Sequence, residues 1–253
     1  MTGIVVRPVR FTDNIEPMRA FLELVGLRPR IESVGGGWID LVADGGMVAL
    51  HSAAGSDSDG VQGQTRLSFE ADDLDVLARV LTDAAVPDVT VYDEAYGRVL
   101  TFTDPLGDRI AIDERMTDLY GYRALPGDKP LGPKVMPVRF CDPAGPYGHL
   151  LQALGLQPIG EINEYYVTFA AADGQHGLVG LHPVFAGELP IAAGEGSVQL
   201  TFESAEPLVQ LAARLEEAGF APQLHSKDFG SLLAVTDPDG QPVQVHEPST
   251  KPE

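Results

Sequence analysis

The groups able to move protons or hold a metal come in pairs along this chain. His51 lies in VALHS and His182 in VGLHP, while Glu70 lies in SFEADD and Glu203 in TFESAE. Imidazole and carboxylate together serve general acid–base catalysis and divalent metal sites. Arg10 and Arg139 recur in PVRF, and Arg66 and Gln199 open the segments RLSFEADD and QLTFESAE. Trp38 and Tyr166 fall on candidate strands, as stacking surfaces or as core packing. Tyr96 and Phe229 fall in the matching loops YDEAYGR and HSKDFGS, as lids over a ligand or as core aromatics. None of the histidines belongs to a close-spaced ligand motif. The lone Cys141 has no disulfide partner and reads as a small buried hydrophobe.

The pairing has a cause. PVRFTDN at Pro8 returns as PVRFCDP at Pro137, VGLRP as LGLQP, and TFTDPLGDRIAIDE at Thr101 as AVTDPDGQPVQVHE at Ala234. The chain is a duplication. Within each half the order strand, helix, three strands occurs twice. In the first half a helix is expected around Asn14 to Val25, followed by strands near Arg30, in GWIDLVA and in GMVALHS. Asp72 and Asp73 start the next helix, whose Leu74, Leu77, Ala78 and Leu81 share one face. Its counterpart takes Ser204 as N-cap and stops at Gly219. PAGPYGHLLQALG is a helix weakened by Pro146 and its glycines. Four βαβββ units result, an α+β fold. We expect one domain over 1–114, a linker over 115–133, where RMTDLYGYRALPGDKPLGP lacks either period, a second domain over 134–248, and a tail over 249–253.

Composition narrows the partners. The 37 acidic against 17 basic residues give a formal charge of −20, a field that repels phosphate backbones and concentrates cations. Nucleic acid is therefore not expected. No apolar run is long enough for a membrane span and the N-terminus carries no signal-peptide pattern, so a cytoplasmic protein, monomer or homodimer, with a small-molecule ligand is expected.

Four βαβββ units with DPxG hairpins before the last strand of each half resemble the vicinal oxygen chelate superfamily, the glyoxalase, bleomycin-resistance and extradiol-dioxygenase group. The resemblance implies two tandem glyoxalase-like domains, each an incomplete curved barrel with a ligand on its concave face. It also implies a divalent ion held by His, Glu or Gln on the first, fourth, fifth and eighth strands of a domain. This sequence departs from that pattern. The first-strand position is Val6, or Arg7 with a slip of one, and Val135 or Met136 in the second half. The others hold Ala49, Arg66 and Ala111, and in the second half Gly180, Gln199 and Gln244. Amide oxygens alone hold transition metals poorly, so no cofactor is expected.

The leading expectation is a metal-independent protein that sequesters a small molecule, for which the acidic charge suggests a cationic antibiotic, as in the bleomycin-resistance branch. The ligand would meet Arg10, Trp38, His51, Arg66, Glu70, Tyr96, Arg139, Tyr166, His182, Gln199, Glu203, Phe229 and Gln244. The alternative is a glyoxalase- or dioxygenase-like isomerase, lyase or oxygenase, with a metal relocated to His51 or His182 together with Glu70 or Glu203.

Overall fold

The computed structural model describes residues 3–54, 59–115, 118–126, 129–171, 175–184, 196–227 and 230–248. The first half runs β1 (Val5–Val6), β2 (Val9–Phe11), α1 (Ile15–Val25), β3 (Arg28–Ser33), β4 (Trp38–Val42) and β5 (Met47–His51). It continues with β6 (Thr65–Arg66), β7 (Phe69–Ala71), α2 (Leu74–Asp83), β8 (Thr90–Glu94), β9 (Gly97–Thr103), β10 (Arg109–Glu114) and β11 (Tyr122–Ala124). The second half runs β12 (Pro133–Val135), β13 (Val138–Phe140), α3 (Tyr147–Ala153), β14 (Leu156–Ile159), β15 (Val167–Ala171) and β16 (Leu178–His182). It ends with β17 (Val198–Gln199), β18 (Thr201–Ser204), α4 (Leu208–Glu217), β19 (Gln223–Lys227), β20 (Gly230–Thr236) and β21 (Pro242–His246).

Local chemistry accounts for the helix limits. Asp73 caps α2 by accepting a hydrogen bond from the Val76 N–H, and Leu74, Leu77 and Leu81 are buried along one face. α1 buries Met18, Phe21, Leu22 and Val25 and ends at Gly26, whose φ of 119° suits glycine. α4 begins later than expected, after Pro207, which needs no helical donor at that end. The Ser204 hydroxyl instead accepts from the Glu206 N–H.

Four sheets form, ordered β1-β7-β10-β9-β8, β11-β3-β4-β5-β2-β6, β12-β18-β21-β20-β19 and β14-β15-β16-β13-β17. β1 and β2 are one stretch of chain that crosses from the first sheet to the second, and β6 and β7 make the return crossing. The pair of sheets in each half therefore wraps into a curved, open barrel. Residues 122–124, inside the linker expected to lack structure, pair as β11 with the edge of β3, Tyr122 opposite Ser33 and Ala124 opposite Ile31.

The hydrophobic cores do not follow the repeat. One joins Leu74, Leu77 and Leu81 of α2 and Phe69 and Ile112 of the first half to Leu150 and Leu151 of α3 and to Phe169 and Leu181 of the second. The other joins Phe21, Leu22 and Leu41 to Phe202, Leu211, Leu215 and Val245, with the Phe21 and Phe220 rings 5.2 Å apart. Each core is sheet, two helices, sheet, with one sheet and one helix from each half. The concave faces of the sheets look the other way.

The duplicated hairpins clasp the opposite half. Arg10 lies 3.0 Å from Asp237, and Arg139 lies 2.7 Å from Asp104. Arg10 also donates to the Gly63 carbonyl and Arg139 to the Gly196 carbonyl. Each aspartate meanwhile accepts backbone N–H bonds of its own turn, Asp104 from Leu106 and Asp108, Asp237 from Asp239 and Gln241. Sequence reasoning aimed Arg10 and Arg139 into the clefts, but alternation along the strands puts Val9 and Phe11 on the concave side and turns Arg10 to this seam. At the centre of the seam Gly46 (φ +82°) and Gly177 (φ +88°) meet back to back, and a Cβ on Gly46 would lie 3.2 Å from the Gly177 Cα.

Candidate functional site

The first-half cleft is filled with ion pairs. Arg7 occupies the break between β1 and β2, and its guanidinium pairs with Asp113 on β10. It also lies 3.5 Å from Asp40 on β4 and 3.9 Å from Glu70 on β7. Arg30 binds the same two carboxylates at 2.8 and 2.6 Å, and Arg115 reaches Glu70 at 3.1 Å. The Trp38 indole donates to Asp40 at 3.1 Å, with Arg7 5.4 Å from its ring centroid. Burial opposes the charge on Arg7, yet Asp113, Asp40 and Glu70 together hold it above the ordinary arginine range. Burial likewise opposes the Glu70 charge, and Arg30, Arg7 and Arg115 still hold that carboxyl below its usual value.

Two tyrosines stand over this cluster. Tyr96 and Tyr122 are pushed up first by burial and then by the Asp113 charge. Tyr96 also lines a cavity of about 300 Å³ with Arg98, Glu114, Arg115, Asp118 and Tyr120. At the far end Arg66 lies over the Phe11 ring at 5.0 Å and donates to the Asp59 carbonyl.

The second-half cleft is neutral at its centre. The Tyr166 hydroxyl lies 3.6 Å from the Met136 sulfur. Gly180 makes room for it, since a Cβ there would be 2.7 Å from that hydroxyl. Burial raises the tyrosine's pKa and keeps its proton on; a hydrogen bond with the Thr168 side chain works against this, and the nearby Glu203 adds to it. Gln199 is 9% exposed, and its side-chain N–H₂ is buried with no hydrogen-bond partner among the described residues. Gln244 pairs in register with Thr201 on the neighbouring strand, and His246 with Glu203. Burial pushes His246 below its ordinary value of 6.5 and so favours the neutral imidazole. Glu203 has Lys134 at 3.9 Å.

The twin histidines are held alike. Nδ1 of His51 lies 2.7 Å from the Ser52 carbonyl and Nδ1 of His182 2.6 Å from the Pro183 carbonyl. A carbonyl only accepts, so Nδ1 carries the proton in both. His51 packs against Phe11 and Trp38, and His182 against Phe140 and Tyr166. Among the described residues neither His51 with Glu70 nor His182 with Glu203 belongs to a group of three or more side chains that could hold a metal. Phe229 lies outside the described residues. Sequence reasoning missed Asp40, Arg30, Asp113 and Arg115. The signal for Asp40 was a lone acid in the otherwise apolar GWIDLVA.

This architecture, two tandem pairs of βαβββ units with a concave cleft in each half, is the vicinal oxygen chelate fold, as the resemblance implied. Solved structures that share it include a catechol 2,3-dioxygenase, 16% identical with a TM-score of 0.62, covering 100% of this chain and 91% of its own. A Mn(II)-bound glyoxalase from Novosphingobium aromaticivorans is 14% identical with a TM-score of 0.61, covering 98% of this chain and 83% of its own. The 2,2',3-trihydroxybiphenyl 1,2-dioxygenase of a dibenzofuran-degrading Sphingomonas wittichii is 16% identical with a TM-score of 0.60, covering 98% and 90%. No family model matches the chain, and no curated protein matches it in sequence.

These neighbours overturn one expectation. The sequence was read as that of a chain with no cofactor, but one structure sharing its fold is a Mn(II)-bound glyoxalase, and that reading is withdrawn. The residues at the strand positions are a separate matter, and they do not fit a divalent ion. Val6 and Val135 point into the cores, so the first-strand positions are Arg7 and Met136, the slip of one. In the first half a guanidinium stands among the carboxylates. In the second a phenol sits against the thioether and over the glycine. Among the described residues no three His, Cys, Asp or Glu side chains form a group that could hold a metal.

Proposed function

We propose that the chain is a small-molecule enzyme of the glyoxalase and dioxygenase kind, an isomerase, lyase or oxygenase, working in the cleft of its second half. Gln199 carries this reading. A buried amide N–H₂ left unpaired costs a few kcal/mol, and a ligand oxygen accepting from it would remove that cost. The Tyr166 phenol, with its proton retained, and the neutral His246 provide a donor and an acceptor for proton transfer near neutral pH. Dioxygenases and a glyoxalase with the same fold support the reaction class. The substrate is accordingly a small molecule bearing carbonyl or hydroxyl oxygens.

The test is turnover of a panel of catechols, α-ketoaldehyde adducts and α-keto acids, with and without added Mn(II) or Fe(II). Gln199→Leu is the paired variant. We expect Gln199→Leu to melt no lower than the native chain, since the unpaired amide is gone, and to lose about tenfold or more in kcat/KM, the worth of one hydrogen bond to a buried partner. A variant as active as the native chain would remove the second-half cleft as the site.

Capture of a cationic antibiotic is a second reading, favoured by the charge of −20. It ranks lower because Asp40, Glu70 and Asp113 in the first-half cleft already face arginines. Calorimetric titration with cationic glycopeptide drugs separates the two, since saturable heat without turnover would favour capture.

A further inference from the structure

Three carboxylates on three different strands face Arg7, and their positions cannot be explained by local structure. Asp40 is on β4, Glu70 on β7 and Asp113 on β10, and the Asp40 and Glu70 side chains are 0% and 2% exposed. Carboxylates this buried need a cation. Arg30 and Arg115 approach from the rim, with side chains 28% and 43% exposed, whereas Arg7 is 4% exposed and contacts all three acids. Its repeat partner, Met136, carries no charge, and the second-half cleft has no such set of acids around it.

We propose that the first-half cleft is a carboxylate cage with Arg7 as its innermost, built-in cation, the one that satisfies Asp113, while Arg30 and Arg115 close it from the rim. The class of free ligand the emptied cage would accept is a small planar guanidinium or a hard divalent ion, both of which oxygen donors bind. With Arg7 present the carboxylates are spread around its fork and do not form a metal group. Trp38, the only tryptophan in the chain, donates to Asp40 and lies beside Arg7, so its fluorescence reports on the cage.

The experiment compares native protein with Arg7→Ala, reading melting temperature and Trp38 fluorescence during titration with millimolar methylguanidinium and, separately, Mn(II). Arg7→Ala is expected to melt roughly 5 °C lower, chiefly because Asp113 loses its partner while Asp40 and Glu70 keep Arg30. Methylguanidinium or Mn(II) should restore a large part of that loss and change the Trp38 emission saturably, while the native protein shows neither response. A folded Arg7→Ala chain that responds to neither cation, or a native chain that responds equally, would overturn the proposal. Should Arg7→Ala not fold unaided, it is refolded from urea with and without methylguanidinium. Recovery only with the cation supports the cage, and failure in both overturns it. The double variant Arg7→Ala/Asp113→Asn gives an independent reading. It should melt higher than Arg7→Ala, because one unpaired charge is gone, and a lower melting point would count against the cage.

Discussion

A Cβ added at Gly180 would lie 2.7 Å from the Tyr166 hydroxyl and 3.0 Å from Val138 Cγ2. Gly180→Ala should therefore cost about 1–3 kcal/mol in urea denaturation, from overpacking a buried site. It should also move the Tyr166 hydroxyl away from Met136, seen as a change in the tyrosine's ultraviolet titration. This glycine was legible in the sequence as a missing ligand position, as were Ala49, Gln199 and Gln244. What filled the space was not. Tyr166 and Arg7 reach their positions through the curvature of the sheets, and the partners of Arg7 are distant in sequence, so no spacing announced them. The slip between Val6 and Arg7 stayed open for the same reason, since two valines, an arginine and a proline in a row give no alternation to count.

At the scale of single elements, α2 was the most legible because its signals are local. Asp73 caps it and three leucines repeat along one face. Asp73→Ala should lower stability by about 1 kcal/mol in chemical denaturation, the ordinary cost of an N-cap. An equal effect from Ser204→Ala on α4 would be unexpected, because that helix starts at Pro207 without a side-chain cap. β11 was invisible for a different reason. Its residues Tyr122, Arg123 and Ala124 have no strand period and become a strand because the edge of β3 offers unpaired backbone groups. The Arg123 side chain adds an ion pair to Glu32 at 2.8 Å.

Across the whole molecule, cores shared between the halves predict a single melting event. Scanning calorimetry should give one cooperative transition, because unfolding either half strips a helix and a sheet from each core. Asp104→Asn should shift that transition downward without splitting it. Asp104 is fully buried and accepts from both Arg139 and the Tyr147 hydroxyl, so the loss is about 3–5 kcal/mol. Two separated transitions would show that the halves are independent folding units. The repeat, its four units and the DPxG turns were all readable from the sequence. That the turns clasp the opposite half was not, because a turn motif fixes its own backbone and leaves its outward oxygen uncommitted.

The back-to-back contact of Gly46 and Gly177 also bears on how such a chain can change over generations. At that point the two copies touch through backbone alone, so neither can gain a side chain without the other yielding, and drift there is locked in step. The concave surfaces carry no such tie. There the two copies differ, one holding a guanidinium among acids and the other a phenol against a thioether, so the step-locked contact at the seam leaves each cleft to vary by itself.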